Sequence, residues 1–335
     1  MPELPEVETV RRGLAPVLAG ALITDIDVRR PDLRFPFPER FAERVRGRRL
    51  VSLSRRAKYL VAALDSGESI IMHLGMTGRF TIVEAADAVR VGAAVEAASK
   101  PMSRSTNGAA SLTASHSAPR PASGSGRGKQ VAEDAFAHPV GPDPKHDHVI
   151  LRTDAGHVVT YNDPRRFGFM LMLDEDEFST HKMFKDLGPE PLGNLFNATT
   201  LATAGRGRRN DLKAFLLDQR TVAGLGNIYV CEALHRSQIS PKRRAACLCD
   251  RKGQPTARAD RLSHAIREVL SEAIEAGGST LRDYAHTDGS LGYFQKAFAV
   301  YGREGEPCRR AGCSGTVQRL VQAGRSTFYC SRCQR

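Results

Sequence analysis

The spacing of apolar positions changes character several times along the chain. Over residues 3–19, Val7, Val10, Leu14 and Val17 recur at helical spacing, with Glu3, Glu6 and Glu8 near the start and Arg11 and Arg12 further on. That order of charges complements a helix dipole, so the segment reads as an amphipathic helix. Beyond it, Leu22–Val28, Leu50–Leu53, Tyr59–Leu64, Ser69–His73 and Arg79–Val83 read as strands, with turns at 65–67 and 75–78. Strands resume at Asp147–Thr153, His157–Asn162 and Phe167–Leu173. Past Leu187-Gly-Pro-Glu-Pro191 the periodicity turns helical over Asp211–Gln219, Ile228–Arg236 and Arg258–Ala276, and a Gly-rich turn over 220–227 separates the first two. The tail from Gly302 is short, polar and rich in cysteine.

One stretch follows none of these patterns. Residues 84–145 hold 15 Ala and 8 Ser among 62 positions, with Phe136 the only aromatic. Such a composition cannot bury enough apolar surface to offset the entropy of ordering, so a disordered insertion is expected there. The expected architecture is therefore α+β and multidomain. An N-terminal helix and antiparallel β-structure fill 1–186, broken by 84–145. A linker spans 187–197, a helical domain 198–300, and a cysteine-bearing β-hairpin 301–335.

Composition narrows the class. At 335 residues and 41% hydrophobic content the chain is too long for one ordinary core but well able to fold. No apolar run reaches the roughly 18 residues of a membrane span, and no secretory signal opens the chain. A cytoplasmic protein is the expectation. The net charge of +12 is lopsided, because residues 200–335 carry 23 basic against 12 acidic side chains. That excess suits a polyanion such as nucleic acid, and equally a solvated surface.

The sharpest local signal is Cys308-x4-Cys313-x16-Cys330-x2-Cys333. Two close pairs across a hairpin suit one structural Zn²⁺ held by four thiolates, with no open position for catalysis. A thirty-residue unit has little core, so the metal would supply its folding energy. Cys231 reads as core, and Cys247-x-Cys249 lacks a partner pair. No organic cofactor is indicated. At the other end, loss of Met1 would make Pro2 a secondary amine. An α-amine titrates near neutrality, at about 7.7–8.0, and can attack an aldehyde-like carbon. Glu3 beside it could move a proton.

These segments together resemble the bacterial formamidopyrimidine-DNA glycosylase (Fpg/MutM) family. The opening Met1-Pro-Glu-Leu-Pro-Glu-Val-Glu-Thr-Val10 is similar to the family's N-terminus. Arg56-Ala-Lys-Tyr-Leu60, His73-Leu-Gly-Met76, Lys145-His-Asp-His148 and Asn162-Asp-Pro-Arg-Arg-Phe-Gly168 follow in the family's order. Gly224-Leu-Gly-Asn-Ile-Tyr229, Gly302-Arg-Glu-Gly-Glu-Pro-Cys308 and Gly324-Arg-Ser-Thr-Phe-Tyr-Cys330 complete the series. The likeness covers the chain apart from 84–145, which is far longer than the family's usual connector. The four-residue spacer of the first cysteine pair is a second departure.

The resemblance implies a β-sandwich, a helix-two-turn-helix domain and a zinc finger. It implies a base-excision enzyme that releases oxidised purines such as 8-oxoguanine and formamidopyrimidines from damaged double-stranded DNA, then performs β,δ-elimination. Pro2 would be the nucleophile, Glu3 the proton donor, Lys58 the acid/base lysine of β-elimination, and Arg325 the zinc-finger arginine of δ-elimination. Met76, Arg165 and Phe167 would fill the gap left by the extruded nucleotide. His146, Arg165, Arg209, Lys213 and Asn227 would contact DNA, and Glu232 would line the lesion pocket. The stretch 277–294 would close over the base. A monomer would suffice. Two other readings stay open: an endonuclease VIII-like enzyme for oxidised pyrimidines, and a non-catalytic zinc protein that binds damaged DNA.

Overall fold

The structure, a computed structural model, describes residues 2–84, 143–279 and 292–335. Residues 85–142 of the insertion expected over 84–145, and 280–291 of the closing segment expected over 277–294, lie outside the described residues, while Glu84 ends a strand. Helix α1 (Leu4–Leu18) opens the chain and is followed by β1 (Ile23–Val28), α2 (Phe41–Val45), β2 (Leu50–Arg56), β3 (Tyr59–Leu64), β4 (Glu68–His73) and β5 (Arg79–Glu84). Then come β6 (Asp147–Thr153), β7 (His157–Asn162), β8 (Phe169–Asp174) and the one-turn helix α3 (Glu175–Phe178). The helical part holds α4 (Ala198–Gly205), α5 (Leu212–Leu217), α6 (Asn227–Arg236) and α7 (Ala257–Glu275), and the tail forms the hairpin β9 (Val317–Gln322) and β10 (Arg325–Cys330). None of the described helices is long and apolar enough to cross a membrane.

Two four-stranded antiparallel sheets, ordered β1-β6-β7-β5 and β2-β3-β4-β8, face each other as a sandwich. Strand β3 alternates buried and half-buried positions, as a strand with one covered face must. The sandwich core gathers Leu14, Ile26, Leu50, Leu60, Phe80, Val149 and Tyr161, and α1 adds Val7, Val10 and Leu18 to it. Leu4, one turn earlier, belongs instead to the second core, with α5, α6 and α7 residues such as Phe215, Tyr229 and Ile266. Helix α1 is therefore a rivet through both domains. Its first turn, with Pro2 and Glu3, sits at their junction.

The expected linker is clamped. Glu190 pairs with Arg55 at 2.8 Å and Arg56 at 2.9 Å and accepts the Ala57 N–H at 2.6 Å. Arg56 also donates to the carbonyls of Leu187 and Gly188. The β2–β3 turn, with Ala57 at φ 52°, is thereby pinned to the start of the helical domain. Several predicted elements differ at their ends, and β2 runs three residues beyond the expected Leu53 to Arg56. Helix α5 is shorter than 211–219, because the Asp211 side chain caps it at Ala214 N and Asp218 already has extended backbone. Strand β8 starts at Phe169, since Arg166 adopts φ 53° and leaves Phe167 on a turn.

Candidate functional site

The turn 224–228 between α5 and α6 is the point on which the site converges. The Leu4 N–H donates to the Gly224 carbonyl at 3.1 Å. Glu3 caps α1, its own N–H donating to Glu6 Oε2 at 2.9 Å, while its Oε1 accepts the Ile228 N–H at 3.0 Å. Gly226 makes room for that carboxylate, since a Cβ there would lie 2.2 Å from Glu3 Cδ. Lys58, leaving the clamped β2–β3 turn, donates its Nζ to the Leu225 carbonyl at 3.3 Å. Gln219 donates to the same carbonyl at 2.8 Å and accepts the Gly224 N–H at 2.9 Å, which stiffens the turn.

Burial sets the electrostatics. Pro2, Glu3 and Lys58 are all buried. Loss of solvent raises the Glu3 pKa above the usual carboxylate value, with Glu6 adding to the effect and Lys58 and the α6 N–H groups opposing it. Loss of solvent lowers the Lys58 pKa, with Glu3 opposing and Arg325 reinforcing. The pair is thus tuned toward a protonated acid and a deprotonated amine. Among the described residues Glu3 Oε2 has no hydrogen-bond partner.

Lys58 opens into a cavity of about 580 Å³ whose walls include Arg34, Tyr59, His73, Gln219, Leu225 and Arg325. Burial, reinforced by Lys58 and Arg34, pushes the His73 pKa down to about 4, and its ring stacks on Phe169 at 5.2 Å. Arg325 follows the tight turn of the zinc hairpin, where Ala323 at φ 48° and Gly324 at φ 68° make a two-residue reversal. That hairpin is tied down from α5 and α6. The fully buried Lys213 donates to the Ser326 carbonyl at 3.0 Å and to Thr327 Oγ1 at 2.7 Å, and Asn227 Nδ2 donates to the Ser326 carbonyl at 3.0 Å. Cys231 is indeed core, with Val300 and Val317.

A second group gathers on the rim of the sandwich. Met76 and Phe167 are exposed, at 38% and 43%, and the exposed Arg165 lays its guanidinium over the Phe167 ring at 4.7 Å. The turns beneath them touch, because a Cβ on Gly75 would come within 2.3 Å of the Phe167 backbone. His73 joins this rim to the cavity by accepting the Gly75 N–H at Nδ1, 3.0 Å away. Half-buried His146 lies behind the rim, its carbonyl accepting the Asp163 N–H. Arg209 is exposed in the segment before α5.

Glu232 stands elsewhere. Its carboxylate accepts the backbone N–H groups of Ala299, Val300 and Tyr301 at 2.8, 3.0 and 2.8 Å. Both oxygens are committed to anchoring the segment that enters the zinc finger, so the expected place in a lesion pocket is corrected to a structural post. Sequence reasoning also passed over Arg34 and Gln219, whose local context carries no signature, and Tyr59 and His73, which were present within quoted motifs without a role.

The four cysteine Sγ atoms lie within 4.8 Å of one another, with Cys308–Cys333 at 3.8 Å and Cys313–Cys330 at 3.7 Å. Tetrahedral zinc with bonds of about 2.3 Å requires sulfur pairs about 3.8 Å apart, so the thiolates fit one structural zinc and leave no site open. His235 on α6 places Nε2 3.3 Å from Cys308 Sγ.

Comparison with known proteins covers nearly the whole chain. Residues 1–170 match the formamidopyrimidine-DNA glycosylase N-terminal domain, 187–285 the H2TH domain of the same enzymes, and 305–335 the zinc finger found in FPG and IleRS. The chain is 52% identical to the formamidopyrimidine-DNA glycosylase of Azorhizobium caulinodans over 335 residues, all of both chains. It is 52% identical to that of Rhizobium meliloti over 338 aligned positions, again all of both. Among solved structures, MutM (Fpg) of Thermus thermophilus superposes with a TM-score of 0.70 at 35% identity, covering 99% of this chain and 98% of that one. Lactococcus lactis Fpg, solved with abasic-site DNA, gives 0.73 at 28% identity and 99% of each chain.

Proposed function

The chain belongs to the formamidopyrimidine-DNA glycosylase family, and from that membership we propose that its cleft excises oxidised purines from double-stranded DNA and then cuts the strand as an abasic-site lyase. The observation that carries this reading is the convergence of Glu3, next to Pro2, and Lys58 on the turn 224–228, with Lys58 and Arg325 lining one cavity. The cations Arg34 and Arg325 suit a phosphate backbone, and the Lactococcus relative was solved with abasic-site DNA.

The lesion must leave the stack before an amine can reach its sugar. Met76 and Phe167 would wedge into the gap, and Arg165 would hydrogen-bond the orphaned base. With Met1 removed, the Pro2 nitrogen would form a bond to C1′ while the bond from C1′ to the damaged base breaks, and the proline N–H proton would pass to the departing base, which leaves neutral and frees the nitrogen lone pair. The nitrogen lone pair then opens the C1′–O4′ bond to an iminium, and O4′ takes a proton from Glu3, whose burial favours the protonated form. Lys58, its pKa lowered, would take the C2′ proton, and the C3′–O3′ bond breaks in β-elimination. Arg325 would hold the phosphate that leaves in the δ step.

Borohydride trapping tests the chemistry. Protein with Met1 removed is mixed with a duplex bearing 8-oxoguanine opposite cytosine, then reduced. A covalent adduct with wild type, absent from Pro2→Gly, is the expected result. An adduct formed only with thymine glycol would move the enzyme to the pyrimidine branch. DNA binding with no adduct would leave a damaged-DNA-binding protein.

A further inference from the structure

Asp163 is wholly buried, yet it touches neither Glu3 nor Lys58. Its carboxylate accepts the Thr77 hydroxyl at 2.5 Å on one oxygen, and the Gly168 N–H at 2.8 Å and the Tyr161 phenol at 3.3 Å on the other. Thr77 in turn accepts the Arg165 N–H at 3.2 Å. The Asp163 carbonyl accepts from His148 Nε2 at 2.9 Å. Tyr161 stays a neutral phenol, because burial and the adjoining carboxylate hold its pKa well above 10.

The placement of these bonds is what matters. Thr77 follows Met76 on one turn, while Arg165, Phe167 and Gly168 lie on the other. The two turns are far apart in sequence, and one carboxylate sits between them. They are also interlocked by backbone contact. A Cβ on Gly168 would fall 1.8 Å from the Tyr161 hydroxyl oxygen and 3.0 Å from Asp163 Oδ2, and one on Gly78 would fall 2.4 Å from the same phenol oxygen. Neither turn can shift without disturbing the carboxylate's partners, so Met76, Arg165 and Phe167 move as one body. Loss of the Thr77 hydroxyl would leave Asp163 Oδ1 without a donor, whereas Oδ2 has two and keeps the Gly168 N–H if the Tyr161 phenol is lost.

We propose that Asp163, acting through Thr77, is a positioning residue that locks the Met76 turn to the Arg165–Phe167 turn and thereby sets how strictly excision depends on the base opposite the lesion. The inference rests on the reading above that these three side chains occupy the gap in the duplex. An arginine discriminates an orphaned base only if its hydrogen-bonding edge is held in register.

The test is single-turnover excision of 8-oxoguanine placed opposite cytosine and opposite adenine, with the full chain as wild type, Thr77→Val, Thr77→Ser and Tyr161→Phe. Thr77→Val removes the hydroxyl that links the turns. It should cut the cytosine-over-adenine ratio by about fivefold, the scale of one net hydrogen bond. Thr77→Ser keeps the hydroxyl and should restore the ratio. Tyr161→Phe weakens the same carboxylate's support without unlinking the turns and should leave the ratio unchanged. Thr77→Ala serves if the valine variant does not fold. Equal losses opposite both bases, or an unchanged ratio in Thr77→Val, overturn the proposal even where the melting temperature falls. A wild type that excises without distinguishing the two bases also overturns it, while the glycosylase reading survives. A wild type that excises neither removes the glycosylase reading, and this inference with it.

Discussion

Replacing Gly226 by Ala puts the smallest side chain against the proposed proton donor. The backbone at Gly226 is extended, with φ −134° and ψ −166°, so alanine is conformationally allowed and strain plays no part. The obstacle is contact. The new Cβ would lie 2.2 Å from Glu3 Cδ and 2.5 and 2.6 Å from its two carboxylate oxygens. Unstrained carbon contacts begin at about 3.5 Å, so the carboxylate must retreat by about 1.3 Å. Glu3 is only 4% exposed and has little room to do so without giving up the Ile228 N–H. A displacement of that size at a catalytic group costs on the order of 100-fold in rate. Stability should fall measurably but short of unfolding, since glycine to alanine at a helix N-cap costs about 1 kcal/mol and overpacking a buried site about 1–3 kcal/mol. The assay is single-turnover excision of 8-oxoguanine, alongside binding to a duplex with an abasic-site analogue and a thermal melt. The expected result is a folded protein that binds the duplex and excises about 100-fold more slowly. Excision within threefold of wild type would show that Glu3 can leave its cradle without consequence, and the proton-donor argument would fail.

Other perturbations follow from the same contacts. Chelating the zinc should unfold the 305–335 hairpin, free Lys213 from Ser326 and Thr327, and abolish DNA binding, with recovery on adding Zn²⁺; binding that persists in protein shown to be metal-free would contradict this. The His73 pKa lies near 4 in the folded chain and at about 6.5 when unfolded, so the unfolded state binds more protons between those values and stability falls as pH drops through that window. His73→Gln should flatten that part of the urea-midpoint profile, and an unchanged slope would count against it. Deleting 90–140 leaves residues 85–89 and 141–143 to join β5 to the turn before β6. The ends to be joined lie at opposite ends of β7 and on its two sides, roughly 20 Å apart, and eight residues reach about 27 Å. The shortened chain should therefore fold and excise as the full one does, and a large loss of excision in a folded deletion protein would show that the segment contributes to the reaction.

Much of this molecule was legible in one dimension. The strands at 59–64, 147–153 and 157–162 fall where the residue pattern puts them, because a one-sided strand or helix declares its buried face in local periodicity. The zinc site was legible because its ligand spacing is itself local. The ordered series of short motifs pointed to the family, and the matched domains bear that out. What a single carboxylate touches is not encoded locally. Glu3 meets Ile228 across 225 residues, and Glu190 reaches back 133 residues to Ala57. Glu232 looked like a pocket acid until its three backbone donors came into view, and Asp163 looked like one letter of a motif until the two turns closed around it. Residue types and spacings determined which elements form and which chemistries are available. Only the packing of α1 through both cores, and the clamp of 187–190 on the β2–β3 turn, brought Glu3 and Lys58 to one turn and Lys58 and Arg325 to one cavity, because burial and hydrogen-bond partners belong to the folded chain and not to any segment of it.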